Sequence, residues 1–221
     1  MRRLLPPLAA LAATLAIALA GCGGGDEPDA GGGSQAGGTG CREVEAPAPR
    51  EPERLSPPDR TLDPAARYAL RFETSCGEFT VALDLALAPR TAASLLSLAE
   101  QGYFDDTVFH RIVPGFVIQG GDPTQTGAGG PGYTTVDPPP SDARYTKGVV
   151  AMAKTPDEPA GAAGSQFFVV TADDAGLPPD YAIVGEVDEG LAVVERIGAL
   201  GDDTEQPTQT VLVETVSVVE T

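Results

Sequence analysis

Apolar and polar positions alternate with a period of two at the start of the domain-like part of the chain. Tyr68, Leu70 and Phe72 face against Ala69, Arg71 and Glu73, and Phe79, Val81, Leu83 and Leu85 repeat the pattern. That period predicts two half-buried strands. Thr74-Ser75-Cys76-Gly77 between them reads as a hairpin turn. From Pro89 to Gln101 the period lengthens, with proline in the first turn, Leu95, Leu96 and Leu98 on one side and Gly102 as a stop, which predicts a helix. Further strands are predicted at Gly115–Gln119, Val149–Ala153, Gln166–Thr171, Ala182–Val187 and Val211–Val219, with a second short helix at Leu191–Leu200. Many strands, two helices and abundant Gly and Pro point to a closed β-barrel.

The densest stretch runs from Gly102 to Tyr133. Tyr103, Phe104, Val108, Phe109, Ile112, Phe116, Val117 and Ile118 are interleaved there with turn formers, one arginine (Arg111), the only histidine of the chain (His110) and Gln119. A glycine-rich loop, Gly120–Gly132, follows. An arginine and a glutamine set within apolar sequence are the makings of a greasy pocket with a few fixed hydrogen-bonding groups.

The run FHRIVPGFVIQGGDPTQTGAGGPGY resembles the signature of the cyclophilin-type peptidyl-prolyl cis-trans isomerases. GVVAMAKT at Gly148–Thr155 and GSQFFVVTA at Gly164–Ala172 fall in the same family's order. Three motifs in sequence are far more specific than any one of them. The resemblance covers Arg67–Thr221 and implies an eight-stranded antiparallel β-barrel capped by two α-helices. It also implies an enzyme that rotates X-Pro bonds in proline-containing polypeptides without a metal or cofactor. The family's catalytic arginine falls on Arg111. Its proline pocket falls on Phe116, Val117, Phe168, Leu177 and Tyr181, and its polar pocket glutamines fall on Gln119 and Gln166. Ala153 and Lys154 stand where the family's substrate-binding segment lies. Phe109 and Phe167 are assigned to the core, and His110 to a structural place beside the arginine, because rotation about an amide moves no proton. Eukaryotic cyclophilins carry a tryptophan that binds cyclosporin; this chain has none.

The chemistry asks for that arginine. An X-Pro amide resists rotation by about 18–20 kcal/mol because the nitrogen lone pair is delocalised into the carbonyl. A guanidinium aimed at the prolyl nitrogen gains a hydrogen bond only when the lone pair localises in the twisted state, and only such differential binding speeds the step. A surface arginine in a salt bridge is the plain alternative for Arg111, and the apolar residues around it argue for the pocket.

Outside the domain, residues 1–21 read as a secretory signal peptide: Arg2 and Arg3 precede the apolar run Leu8–Ala20, which is short for a membrane span. Leu19-Ala20-Gly21-Cys22 resembles the bacterial lipobox, which implies a diacylglycerol on Cys22 and a protein lipid-anchored to the extracytoplasmic side of the cell membrane. An ordinary secreted protein is the alternative. Residues 22–40 form a Gly-rich tether with a reach of about 20–25 Å. Residues 41–66 form a Pro-rich arm, and residues 67–221 the isomerase-like domain. With Cys22 assigned to lipid, Cys41 and Cys76 remain as an even pair for a disulfide in an oxidising compartment, free or buried thiols being the alternative. The net charge of −18 leaves little for phosphate backbones to bind, so nucleic acid is not expected as a partner. The chain is expected to be a monomer. The leading reading is an exported prolyl isomerase that assists folding. The competing one is a non-catalytic proline-peptide-binding or chaperone-like module on the same fold.

Overall fold

The computed structural model describes residues 40–220. The predicted signal peptide, Cys22 and the tether up to residue 39 lie outside the described residues. Eleven strands and two helices are found among the described residues, so the domain is mainly β. The predicted first hairpin forms as β1 (Tyr68–Thr74) and β2 (Gly77–Leu83), with Phe72 opposite Phe79 and their rings stacked 4.7 Å apart. α1 spans Pro89–Glu100 and α2 spans Leu191–Gly198. Proline starts α1, and the Thr91 amide near its beginning donates to the buried Asp137 carboxylate at 2.7 Å, which satisfies a backbone donor the helix itself cannot pair. Gly102, at φ 67°, ends the helix, with Tyr103 N–H returning to the Leu98 carbonyl at 3.0 Å.

The remaining strands are β3 (Thr107–Val108), β4 (Arg111–Val113), β5 (Val117–Gly120), β6 (Thr135–Val136), β7 (Val149–Met152), β8 (Ala162–Ala163), β9 (Phe167–Val170), β10 (Ile183–Glu189) and β11 (Leu212–Glu220). Nine of them make one antiparallel sheet in the order β3-β11-β1-β2-β10-β7-β9-β5-β4, and β6 pairs with β8 apart from it. The expected closed barrel of eight strands is therefore a curled sheet of nine whose edge strands, β3 and β4, are joined in the chain by Phe109 and His110. The physical reason is the shortness of those edges. Each is paired on one side only, β3 with β11 and β4 with β5, and with so few residues neither extends a ladder to the other, so the two edges are linked by the covalent chain.

The sheet has two apolar faces where β4, β5, β7 and β9 lie side by side. Ile112, Ile118, Val150, Met152, Phe167 and Val169 point into the main core. Their neighbours Val117, Ala151, Phe168 and Val170 join Tyr145 in a second, smaller cluster on the opposite side. Successive strand residues face opposite ways, so the continuous apolar runs VVAM and FFVV are what a sheet covered on both faces requires, and in VIQG the outward position after Val117 goes to Gln119.

The arm is extended, with neither helix nor strand from residue 42 to residue 63. Cys41 and Cys76 form a disulfide at a Cα–Cα distance of 4.0 Å, closing a sequence separation of 35. Arg42 N–H donates to the Ser75 carbonyl at 2.7 Å, and farther along Leu62 is buried in the main core. In the loop-entropy account a closure of this length contributes about 3–4 kcal/mol. Replacing both cysteines by serine should lower the unfolding free energy by about that amount in denaturant titration. Thiol titration of the unreduced, unfolded wild type should find neither of these two sulfurs free.

Candidate active site

The hairpin β4–β5 sets the geometry. Its register pairs Arg111 with Gln119, and β5 in turn pairs Gln119 with Phe168 of β9, which faces Ala151 of β7. Residues paired across neighbouring strands share a face. One straight row across four strands thus presents a guanidinium, a carboxamide, a phenyl ring and a methyl group on the face away from the core. The hairpin turn Pro114-Gly115-Phe116 carries the Phe116 ring to the same side, with Phe116 N–H bonded to the Val113 carbonyl at 3.0 Å.

A hollow of about 230 Å³ lies over this row. Phe116, Val117 and Phe168 line its apolar part, Leu177 and Tyr181 close it from the loop before β10, and Arg111, Gln119, Ala153 and Lys154 make the remaining wall. Of the ten residues expected to bind or act, nine meet around the hollow. Gln166 lies one step away, accepting a hydrogen bond from Gln119 Nε2 at 3.0 Å. The Phe168 and Tyr181 rings meet edge to face at 5.5 Å, and the Tyr145 hydroxyl holds the Tyr181 backbone by donating to its carbonyl at 2.7 Å. Burial raises the Tyr145 phenol above its ordinary value, so it stays a neutral donor.

Arg111 is held at two points. Its Nε donates to Glu205 Oε2 at 2.7 Å, and one Nη donates to Gln119 Oε1 at 3.2 Å. Gln119 passes the chain on to Gln166, whose Nε2 donates to the Gly129 carbonyl at 2.9 Å. The other Nη of Arg111 makes no hydrogen bond among the described residues and is available to a ligand. Pocket arginine and salt-bridged arginine, posed as alternatives, are thus the same residue. The Glu205 carboxyl is lowered from its ordinary value by the hydrogen bond from Arg111, so it remains charged through the neutral range. Neither Glu205 nor Tyr145 was legible as a site residue. Glu205 stands 94 residues beyond Arg111 within an acidic run, and no sequence period links the two.

Lys154 is not a free cation at the rim. Its side chain is 3% exposed, its Nζ pairs with Asp180 at 2.7 Å, and it donates to the Thr155 and Glu158 carbonyls. All three ammonium donors are occupied. It lines the hollow as a pin between segments rather than as a substrate donor. His110 has no hydrogen-bond partner at either ring nitrogen among the described residues. Burial lowers its value below the ordinary 6.5, leaving a neutral ring packed behind the arginine. The glycine loop after β5 curls around Asp122, which is fully buried and accepts from the amides of Thr124, Gly127 and Gly129 at 2.8, 2.7 and 3.0 Å. Burial alone would raise that carboxyl, but the Thr124 hydroxyl and these amides outweigh it and hold it low. A Cβ on Gly129 would stand 2.0 Å from the Asp122 carboxylate, so only glycine lets the loop close this tightly.

Comparison with known proteins gives this geometry a family. The family profile described as cyclophilin type peptidyl-prolyl cis-trans isomerase/CLD matches residues 69–218. The chain belongs to the cyclophilin family. Among curated cyclophilin relatives, the peptidyl-prolyl cis-trans isomerase CYP18-2 of Arabidopsis thaliana is 38% identical over 157 residues, covering 69% of this chain and 88% of that protein. Peptidyl-prolyl cis-trans isomerase-like 1 of Emericella nidulans is 38% identical over 138 residues, covering 61% and 83%. Among solved cyclophilins, a Cryptosporidium parvum cyclophilin type peptidyl-prolyl cis-trans isomerase, crystallised in the presence of the dipeptide Ala-Pro, superposes with a TM-score of 0.63 at 28% identity. The match covers 68% of this chain and 98% of that one. These relatives come from a plant, a fungus and a protozoan.

The half-buried histidine generates a pH dependence. A folded-state value below 6.5 means that the unfolded chain binds its proton first as pH falls. Stability attributable to His110 is therefore complete above about pH 6.5 and declines as pH falls from there toward the lowered folded-state value. Denaturant titrations at about pH 7.5 and 5.5 should show a less stable wild type at the lower pH, and His110→Gln should remove that part of the slope.

Proposed function

We propose that this cyclophilin rotates X-Pro peptide bonds in exported polypeptides, with Arg111 as the catalytic residue and the hollow above Phe168 as the seat of the proline ring. The observation that carries this reading is the doubly anchored guanidinium, with one Nη left uncommitted at the wall of a hollow of about 230 Å³ that has Phe116, Val117 and Phe168 as its apolar part. A pyrrolidine ring packed on Phe116, Val117, Phe168 and Leu177 is desolvated, and water is kept from competing for the guanidinium. Facing a planar amide, Arg111 finds no lone pair on nitrogen. Facing a twisted one, it finds a localised pair and donates to it. The bond exists only in the rotational transition state, as catalysis requires.

One charge-assisted hydrogen bond supplies about 1.5–3 kcal/mol. At about 1.4 kcal/mol for each factor of ten, that is a gain of about ten- to a hundredfold. The rest comes from holding the flanking peptide, for which Gln119, Gln166 and the main chain at Ala153 offer hydrogen-bonding groups. The solved relative's Ala-Pro dipeptide is a ligand of the class this hollow would take. In a proline-peptide isomerisation assay, Arg111→Ala should lower kcat/KM by about ten- to a hundredfold while peptide binding changes less. Equal inertness of wild type and variant, with binding retained, would establish the non-catalytic binding module instead.

Export and anchoring belong to the same proposal. Arg2 and Arg3 ahead of the apolar run Leu8–Ala20, with Cys22 at its end, support a lipid-modified exported protein. The Cys41–Cys76 disulfide supports an oxidising compartment. Mass spectrometry of the mature protein should find a diacylated N-terminal Cys22; an unmodified terminus at another residue would exclude the anchor.

A further inference from the structure

The family profile begins at residue 69, so the arm is an addition to the cyclophilin domain, yet it is fastened beside the site. Arg50 N–H donates to the Pro123 carbonyl at 2.9 Å and Leu55 N–H to the Pro131 carbonyl at 2.7 Å. Between these two bonds, residues 51–54 run along the glycine loop. The Arg54 Cα stands 3.0 Å from where a Cβ on Gly132 would be, a contact only a bare backbone admits. Arg50 itself is folded under the domain, its guanidinium bonded to the Tyr103 carbonyl and 5.5 Å from the centre of the Tyr103 ring.

Arm and loop together enclose a groove of about 830 Å³, more than three times the volume of the proline hollow. The two spaces are adjacent and share a wall: Gln119, Ala153 and Lys154 line both. The groove is walled by charged residues, most of which are already committed. Lys154 pairs with Asp180, the Glu158 carboxylate accepts from the Thr155 amide at 2.7 Å, and Arg50 is tied to Tyr103. Glu51, Glu53 and Arg54 make no side-chain hydrogen bond or ion pair among the described residues, so two carboxylates face the groove against one guanidinium. The net charge of −18 reinforces that sign.

We propose that the arm, by setting Glu51 and Glu53 on the wall of this groove, makes the protein select polypeptides that carry a basic side chain within a few residues of the proline. The proposal rests on the reading of the hollow as the proline seat. An extended chain advances about 3.3–3.6 Å per residue, so two to four flanking residues reach from the hollow along the arm. Glu51 and Glu53 meet a lysine or arginine of the substrate there. Because the disulfide and the backbone bonds hold the arm in place, its carboxylates are set before the substrate arrives and little ordering cost falls on binding. Partly exposed pairs of this kind are weak and screened by salt, so the selectivity is modest: about three- to tenfold between a lysine and a glutamate at the same substrate position.

The test uses the full chain and paired peptides that differ only in lysine or glutamate two to four residues from the proline, on either side, with a short uncharged proline peptide as reference. Both kcat/KM and binding by fluorescence anisotropy are measured. The lysine peptide should exceed its glutamate twin by about three- to tenfold at low salt for one of the two flanks, and the ratio should shrink at about 0.5 M salt. Glu51→Gln with Glu53→Gln should bring the ratio toward one, and Glu51→Lys with Glu53→Lys should invert it. Equal binding of the twin peptides to the wild type, or a ratio that survives both double variants, overturns the proposal. Absence of turnover on the short peptide counts against the isomerase reading alone, because the binding ratio still reports on the groove.

Discussion

The alternation of side chains along β4, β5, β9 and β7 is the constraint on which the rest of the structure depends. On the inner side, Ile112, Ile118, Phe167 and Met152 complete the main core. On the outer side, the paired row from Arg111 through Gln119 and Phe168 to Ala151 builds the floor and one wall of the hollow. A slip of one residue in any of these pairings would turn a core side chain outward and a site residue inward. Core and site therefore specify each other. The free energy that buries Ile118 and Phe167 is also what aims Gln119 and Phe168. A residue on a strand held so strongly has its backbone fixed by the core, which agrees with a site on the sheet rather than on a mobile loop.

Strand register alone leaves a long arginine free to swing. The hydrogen-bond chain from Glu205 through Arg111, Gln119 and Gln166 to the Gly129 carbonyl removes that freedom. Its two ends come from distant parts of the sequence, the loop after α2 and the glycine loop after β5. The first end is tied to the sheet by Ile112 N–H donating to the Glu205 carbonyl at 3.0 Å, and the second is shaped around the buried Asp122 carboxylate. Glu205 also lies at φ 64°, a left-handed conformation uncommon for a residue with a side chain, and the Asp202 carboxylate below it organises the turn by accepting from Thr204 and Gln206. Two polar loops thus act as supports for one guanidinium, while Phe116, Val117 and Phe168 supply the apolar part of the hollow.

Much of this was legible in the sequence, for reasons that differ from element to element. The period of two in β1 and the proline-to-glycine span of α1 are local signals that the structure follows within a residue, whereas β2 begins at Gly77 and ends at Leu83, leaving Leu85, the last step of the expected period, in a turn. Most of the residues that meet around the hollow lie in the three motifs, on or beside adjacent strands, while Leu177 and Tyr181 come from the loop before β10. The short strands β3, β4, β6 and β8 were not foreseen, because two or three residues carry no period. That also hid the curled sheet with chain-linked edges behind an expected closed barrel. Glu205 and Tyr145 escaped notice because each acts across a long loop. The Lys154 position was visible, but not its pairing with Asp180, which turns a surface-type residue into an internal strut.

The arm shows how a conserved type of domain acquires a border of its own. Residues 40–66 contribute little to the main core beyond Leu62 and Leu55, and on apolar burial alone such a segment would not order. Its order comes instead from a covalent bond at Cys41, two backbone hydrogen bonds to carbonyls of the glycine loop, and prolines that restrict the unbound chain. The two backbone bonds lie along the loop that lines the groove, and the disulfide fastens the start of the arm to the turn between β1 and β2. The Ser75 and Cys76 turn is held in common by the arm and by β11, since Leu212 N–H donates to the Ser75 hydroxyl at 3.1 Å. The Pro123 and Pro131 carbonyls belong to the loop whose other face supports Gln166. An arm needed only as a spacer could leave the domain anywhere on its surface. One that is bonded at both ends of the glycine loop, with its partnerless charges turned toward the groove, has become part of the wall past which a substrate must lie.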